Sequence, residues 1–185
     1  MAEPELQIEI RQIEPGDRFA GFSVGDGKFL ALKIFLQKHA RRFQDQNLAR
    51  TYGAFARAAP QKLLAYVTLV CGEVVLQDAD PRLINDDAYR YSQYPAVKIA
   101  RLAVDSRYRG ANIGVSLVDL SLGIAKDQIC PAVGCRFVMV DSKPESIGFY
   151  SKCGFSILQT PTNLALAKRV MYVDLLRTMT PAPSA

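Results

Sequence analysis

The stretch Leu102 to Leu117, LAVDSRYRGANIGVSL, constrains the fold more than any other part of the 185-residue chain. Ahead of it and into it, Ala96 to Val104 is an apolar run of strand length. The loop Asp105 to Gly110 follows, and from Asn112 to about Ile129 apolar residues recur at helical spacing through Ile113, Leu117, Leu120, Ile124 and Ala125. A buried strand joined by a short loop to an amphipathic helix is the building unit of an α/β domain. Small residues in Gly110-Ala111-Asn112-Ile113-Gly114 let several backbone N–H groups converge at the helix start. Those donors have no partner inside a helix, and the helix dipole there favours negative charge, so such an end binds phosphate. Arg107 and Arg109 add charge-assisted donors beside it. No Gly-Lys-Ser/Thr follows, which excludes a P-loop, and GxGxxG is absent, which excludes the dinucleotide fingerprint.

The rest of the chain reads as further strands and helices. Gln7 to Ile13 alternates like a strand and ends in the turn Glu14-Pro15-Gly16-Asp17. Lys28 to Gln46 reads as one amphipathic helix with a stripe of Phe29, Leu32, Phe35, Leu36, Ala40 and Phe43. Strands are expected at Arg50 to Arg57 and, after a turn at Ala59-Pro60, from Leu63 to Leu76. Asp78 to Pro95 is polar and irregular. Beyond the central unit, Pro131 to Gly134 turns into a strand at Arg136 to Val140. Pro144 opens a helix to about Cys153, Gly154 caps it, and strands follow at Phe155 to Gln159 and Arg169 to Leu176. The expected order is β-α-β-β-β-α-β-α-β-β: a single α/β domain over residues 1–177 with a mixed sheet, then a disordered tail over 178–185.

Composition narrows the class. A chain of this length buries roughly 70% of its unfolded surface, so a core needs no disulfide or metal staple. Hydrophobic residues at 49% and charged residues at 22% exclude disordered and collagen-like chains. Cys71, Cys130, Cys135 and Cys153 form no CxxC pair, and His39 is the single histidine, so reduced thiols and no metal site are expected. The first residues, MAEPELQIEI, are acidic where a secretory leader is basic and then apolar. The apolar run Leu63 to Gly72 is about half the roughly 20 residues of a membrane span. A cytoplasmic protein with no membrane partner is the expectation. The net charge is +5, and seven basic residues between Lys28 and Arg57 face one acid, Asp45. Lys38, Arg41, Arg42 and Asp45 fall on one face of the expected helix with Lys33 nearby, and the basic residues among them read either as a solvated face or as an RNA-backbone stripe.

Two segments in order resemble the GNAT superfamily of N-acetyltransferases. The first, Arg109-Gly110-Ala111-Asn112-Ile113-Gly114, is similar to the family's acetyl-CoA loop, Arg/Gln-x-x-Gly-x-Gly/Ala between a strand and a helix. Asn112 stands where the family usually has glycine, and asparagine tolerates left-handed backbone angles best among the other residues. The second, Gly148-Phe149-Tyr150-Ser151-Lys152-Cys153-Gly154-Phe155, resembles the family's FY-x-x-x-GF segment. The resemblance implies a mixed, splayed β-sheet flanked by helices, with acetyl-CoA as co-substrate. It implies that the backbone of Leu102, Ala103 and Val104 holds the pantetheine arm and polarises the thioester. It implies Tyr150 as general acid toward the departing thiolate.

Within the superfamily the layout is similar to the toxin acetyltransferases of type II toxin–antitoxin modules. The likeness is carried by the basic helix, Arg50-Thr51-Tyr52, Ala65-Tyr66-Val67-Thr68-Leu69, Tyr94-Pro95 and Arg101 to Asp105. It implies aminoacyl-tRNA as acceptor and an antitoxin protein as partner; a homodimer is a separate expectation. No Asp or Glu lies in Ala96 to Val104. An α-amine with pKa near 8 attacks largely unaided, whereas a lysine amine near 10.4 needs a base. A small-molecule amine, a protein N-terminus and a non-catalytic acyl-CoA-binding role remain the alternatives.

Overall fold

The apolar run that opens the central unit forms the strand β4, Gln93–Val104, in a computed structural model that describes residues 6–76 and 91–179. Seven strands make one mixed sheet in the order β1-β2-β3-β4-β5-β7-β6. β1 is Ile8–Gln12, β2 Arg50–Ala56, β3 Ala59–Val75, β5 Phe137–Ser142, β6 Ser156–Ile157 and β7 Arg169–Asp174. The helices are α1 Leu30–Lys38, α2 Ala40–Asp45, α3 Ile113–Ile124, α4 Cys130–Val133, α5 Ile147–Lys152, α6 Pro161–Ala165 and α7 Leu175–Met179. β4 and β5 are parallel; β1–β2, β2–β3, β5–β7 and β6–β7 are antiparallel. The mixed, helix-flanked α/β architecture expected from the sequence is the one found.

Contacts divide the chain into two compact units, Met1–Val70 with Ala100–Leu120 and Cys71–Ile99 with Ser121–Ala185. In the first, α1 lays Phe35 and Leu36 into a core with Phe19, Phe22, Phe55 and Tyr66. The Tyr66 hydroxyl donates to the Leu32 carbonyl at 2.7 Å, which ties α1 to β3. Thr51 and Thr68, directly opposed on β2 and β3 and fully buried, satisfy each other at 2.9 Å. In the second, Tyr94, Phe137 and Tyr172 pack edge to face in a core with Val74, Met139 and Leu158. Buried Asn163 donates from its side chain to the Leu158 and Val170 carbonyls and accepts from Val170 N–H, so its side-chain bonds go to the β6–β7 region.

Several boundaries differ from the sequence expectation. The expected turn at Ala59-Pro60 lies inside β3, and Arg57-Ala58 turn instead; Pro60 sits on an exposed strand end where its missing N–H costs no buried bond. The expected continuous helix from Lys28 to Gln46 is a 3₁₀ turn followed by α1 and α2, with His39 at φ −125° between them. The helix expected to stop near Ile129 runs on to Val133 through a π turn at Ala125–Ile129, in which Cys130 N–H donates to Ala125. That wide turn precedes Pro131, whose ring opposes ordinary helix. The last strand stops at Asp174, whose carboxylate accepts from Leu176 N–H and starts α7. Of the tail expected to be disordered from 178, Thr178 and Met179 belong to α7; the residues from 180, and residues 77–90 with most of the stretch expected to be irregular, lie outside the described residues.

Candidate active site

Asp105 organises the loop after β4. Its side chain is fully buried. It accepts from Ser23 N–H at 3.0 Å and Arg107 N–H at 3.1 Å, and from Arg107 Nε at 2.8 Å and Nη2 at 2.6 Å. Burial alone would raise its pKa, but the Arg107 guanidinium and the two backbone donors outweigh that and hold it down to about 2. Arg107 also donates to the Gly21 carbonyl at 2.6 Å, and Arg109 to the Val24 carbonyl at 2.6 Å. Both arginines thus pin the 19–26 loop against the turn that leads into α3.

That turn has the backbone the sequence pattern called for. Gly110 has φ +89° and Asn112 φ +56°, so the asparagine adopts the left-handed conformation. Space around Gly110 is open, and its φ rather than crowding requires glycine there. The first turn of α3 closes with Val115 and Ser116 N–H on the Asn112 carbonyl. The N–H groups of Gly110, Asn112, Ile113 and Gly114 make no hydrogen bond among the described residues. Ala111 N–H, between the first and second of them, donates to the Tyr108 carbonyl at 3.4 Å, and the other four, around a left-handed turn, are the kind of donor set a pyrophosphate needs.

The strand leading into this turn is unpaired on one edge. The β4–β5 ladder runs from Ala96↔Phe137 to Ile99↔Val140 and stops, while β4 continues to Val104. Leu102, Ala103 and Val104 therefore offer backbone groups that no β5 residue uses. Peptide-like amides of a ligand can add there as a short strand would.

Tyr150 lies on α5 and is 6% exposed. Its ring meets Phe149 at 5.1 Å and Phe155 at 5.5 Å, edge to face. The return from helix to strand runs through Gly154 at φ +86°, and Phe155 N–H donates back to the Tyr150 carbonyl at 3.0 Å. Burial, helped by Cys153, pushes the phenol above its ordinary value near 10. Its hydroxyl makes no hydrogen bond among the described residues, so its proton is uncommitted.

Residues 28–155 match the acetyltransferase (GNAT) family. The chain belongs to that family. Acetyl-CoA-dependent N-acetyl transfer is the reaction of GNAT proteins, and acetyl-CoA their co-substrate. Over 58 residues the chain is 36% identical to a glucosamine 6-phosphate N-acetyltransferase of Arabidopsis thaliana; the match spans 31% of this chain and 36% of that relative. The fold is similar to AtaT complexed with acetyl-methionyl-tRNA, with a TM-score of 0.77 at 20% identity over 93% of this chain and 97% of that one. It is also similar to a tyrosine-to-phenylalanine variant of the toxin AtaT bound to the C-terminus of the antitoxin AtaR and acetyl-CoA. There the TM-score is 0.70 at 20% identity, over 92% of this chain and 94% of that one. At such identities the likeness is one of fold.

The four basic residues singled out on this GNAT chain are not equivalent. Lys38 and Arg42 are exposed, with Arg42 Nη2 3.3 Å from His39 Nδ1. Arg41 is half-buried; it donates to the Glu14 and Asp17 carbonyls and lies over the Phe19 ring at 4.5 Å. Lys33 and Arg41 line an open hollow of about 500 Å³ with Phe19, Ala20 and Gln37. Sequence reasoning had no means to find Phe19 and Gln37 there, because neither stands in a motif. Among the described residues no group of three or more His, Cys, Asp or Glu is arranged to hold a metal, and the cysteines are free. No helix among the described residues is long and apolar enough to cross a membrane.

Proposed function

We propose that the protein acetylates the α-amine of aminoacyl-tRNA, using acetyl-CoA bound at Arg109, Gly110, Ala111, Asn112, Ile113 and Gly114. The observation that carries the reading is the set of uncommitted N–H groups of Gly110, Asn112, Ile113 and Gly114, the Ala111 N–H being held by the Tyr108 carbonyl, just after the part of β4 that extends beyond its β5 ladder. These donors take the pyrophosphate. The backbone of Leu102 to Val104 takes the pantetheine amides, and an N–H near Val104 polarises the thioester carbonyl and stabilises the oxyanion. The neutral amine forms a C–N bond to the carbonyl carbon. The tetrahedral adduct then collapses, breaking the C–S bond, and Tyr150 O–H protonates the leaving thiolate. The proton lost by the amine goes to water, and the Tyr150 phenolate is reprotonated from solvent. The absence of a carboxylate in Ala96 to Val104 supports an α-amine over lysine, since no base is supplied along that segment. The AtaT structure with acetyl-methionyl-tRNA supports RNA as the carrier of that amine. The antitoxin complex of AtaT supports an antitoxin as partner. A cytoplasmic setting and a homodimer, in one catalytic domain over residues 1–177, complete the proposal. The stretch shared with glucosamine 6-phosphate N-acetyltransferase favours a small amine as the second reading.

The test incubates the protein and labelled acetyl-CoA with bulk aminoacyl-tRNA, deacylated tRNA, spermidine and a lysine peptide. Label confined to aminoacyl-tRNA is expected. Equal labelling of spermidine would remove RNA from the proposal. Lys33, Lys38, Arg41 and Arg42 are the proposed RNA contacts, and the exposed pair gives the clean experiment because Arg41 also holds two carbonyls. Reversing Lys38 and Arg42 to Glu is expected to weaken RNA binding and flatten its log–log salt slope by about 1.5 to 2. An unchanged slope would return these side chains to ordinary solvated surface. Asn112→Val places a β-branched residue at φ +56° and is expected to raise the Kd for acetyl-CoA about tenfold in calorimetry. An unaltered Kd would move the pyrophosphate away from this turn.

A further inference from the structure

We propose that Arg101, laid on the ring of Phe35, is the residue that takes a phosphate of the amine acceptor. The first unit holds four half-buried arginines: Arg11, Arg41, Arg50 and Arg101. Three of them are tied down. Arg11 pairs with Asp17, Arg41 donates to the Glu14 and Asp17 carbonyls, and Arg50 donates to the Gln44 carbonyl and Asn47 Oδ1. Arg101 makes no hydrogen bond and no ion pair among the described residues. Its one close partner is aromatic: the guanidinium carbon lies 3.7 Å from the centroid of Phe35. Phe35 is itself buried and braced edge to face by Phe43 at 5.4 Å.

A guanidinium carries five N–H donors, and those of half-buried Arg101, with no protein acceptor among the described residues, are left to water or an incoming anion. Stacking on a fixed ring holds the group in place without using any of those donors. The result is a pre-set fork of the kind that binds carboxylate or phosphate in two parallel bonds. Its position supports an acceptor role. Arg101 is two residues beyond Ile99, where the β4–β5 ladder ends, and three before Val104. At about 3.3 Å per strand residue it stands roughly 10 Å from the backbone proposed to hold the thioester. Ala103, on the same face of the strand, points into the core that contains Phe35 and Tyr66.

This inference rests on the acetyl-transfer reading, and the experiment separates the two. Wild type, Arg101→Met and Arg101→Lys are assayed with aminoacyl-tRNA and with a phosphate-free amino acid amide, with AMP and inorganic phosphate as inhibitors. KM for aminoacyl-tRNA is expected to rise tenfold or more in Arg101→Met and to recover partly in Arg101→Lys. KM for the amide is expected to move less than twofold. The Kd for acetyl-CoA is also expected to stay within twofold, which at the same time shows that the variants fold. AMP and phosphate are expected to compete with the acceptor in wild type and to lose that effect in Arg101→Met. If Arg101→Met fails to fold, the comparison is read on Arg101→Lys. Unchanged KM and unchanged AMP inhibition would overturn the proposal, as would a tenfold loss of acetyl-CoA affinity, which would assign Arg101 to the CoA phosphates. If wild type leaves aminoacyl-tRNA unlabelled but AMP still competes with the amide through Arg101, the acceptor named above falls and the phosphate contact stands.

Discussion

Tyr150→Phe is expected to lower kcat about 10²-fold while leaving acetyl-CoA binding and the melting temperature close to wild type. The hydroxyl makes no hydrogen bond among the described residues, so its removal breaks no protein contact. The ring keeps its packing against Phe149 and Phe155. What is lost is the proposed proton donor for a thiolate whose conjugate acid has a pKa near 8.5, and general acid help of this kind is worth about 10²-fold or more. The pH dependence carries a second signature. Burial raises the phenol above its ordinary value, and the donor is active only while protonated. The ratio of wild-type to variant kcat is therefore expected to stay flat from pH 7 to pH 10. An unshifted phenol would lose half its advantage by pH 10. A ratio near one at pH 7, with an acceptor shown to be acetylated, would take the proton donor away from Tyr150.

The central unit was legible in the sequence because its constraints are local. A left-handed turn needs Gly or Asn, and Gly110 and Asn112 stand where φ is positive. Two features with local signals were open to reading and pass easily for loop or strand. Thr160 followed by Pro161 is a helix start, and Thr160 Oγ1 does accept from Asn163 N–H at 3.1 Å. Asp174 before Leu175-Leu176 is another. Pro60 and Pro95 suggest breaks, yet both lie inside strands at exposed positions where no buried donor is missed. The break at His39 has no sequence signal, since neither Gly nor Pro is near it; it coincides with Arg41 reaching the carbonyls of Glu14 and Asp17. Arg101 was visible as a motif residue, but its ring partner comes from a different element. Such pairings are set by the fold and cannot be read from spacing along the chain.

Asp105→Ala is expected to destabilise the protein by about 3 kcal/mol and to weaken acetyl-CoA binding with it. The substitution strips the acceptors from Ser23 N–H and Arg107 N–H, both part-buried, and a donor left unmet away from water costs about 1–3 kcal/mol. Loss of the ion pair adds to this, less than its geometry alone would give, because Arg107 is about half exposed and finds water. The effect on binding follows from the same contacts: without Asp105 the 19–26 loop and the turn into α3 lose their shared anchor. Asp105→Asn separates charge from shape. The folded carboxyl titrates near 2, below the value of about 3.9 for an unfolded chain. Its charge therefore stabilises fully at pH values above the unfolded pKa, by about 2 kcal/mol, and that contribution is lost as pH falls through 4 toward 2. The stability gap between wild type and Asp105→Asn, measured by urea unfolding, is expected to narrow by about 1 kcal/mol between pH 7 and pH 3. A gap that stays constant over that range would mean that the carboxylate acts only through its shape, and that Arg107 holds the loop by its bond to the Gly21 carbonyl alone.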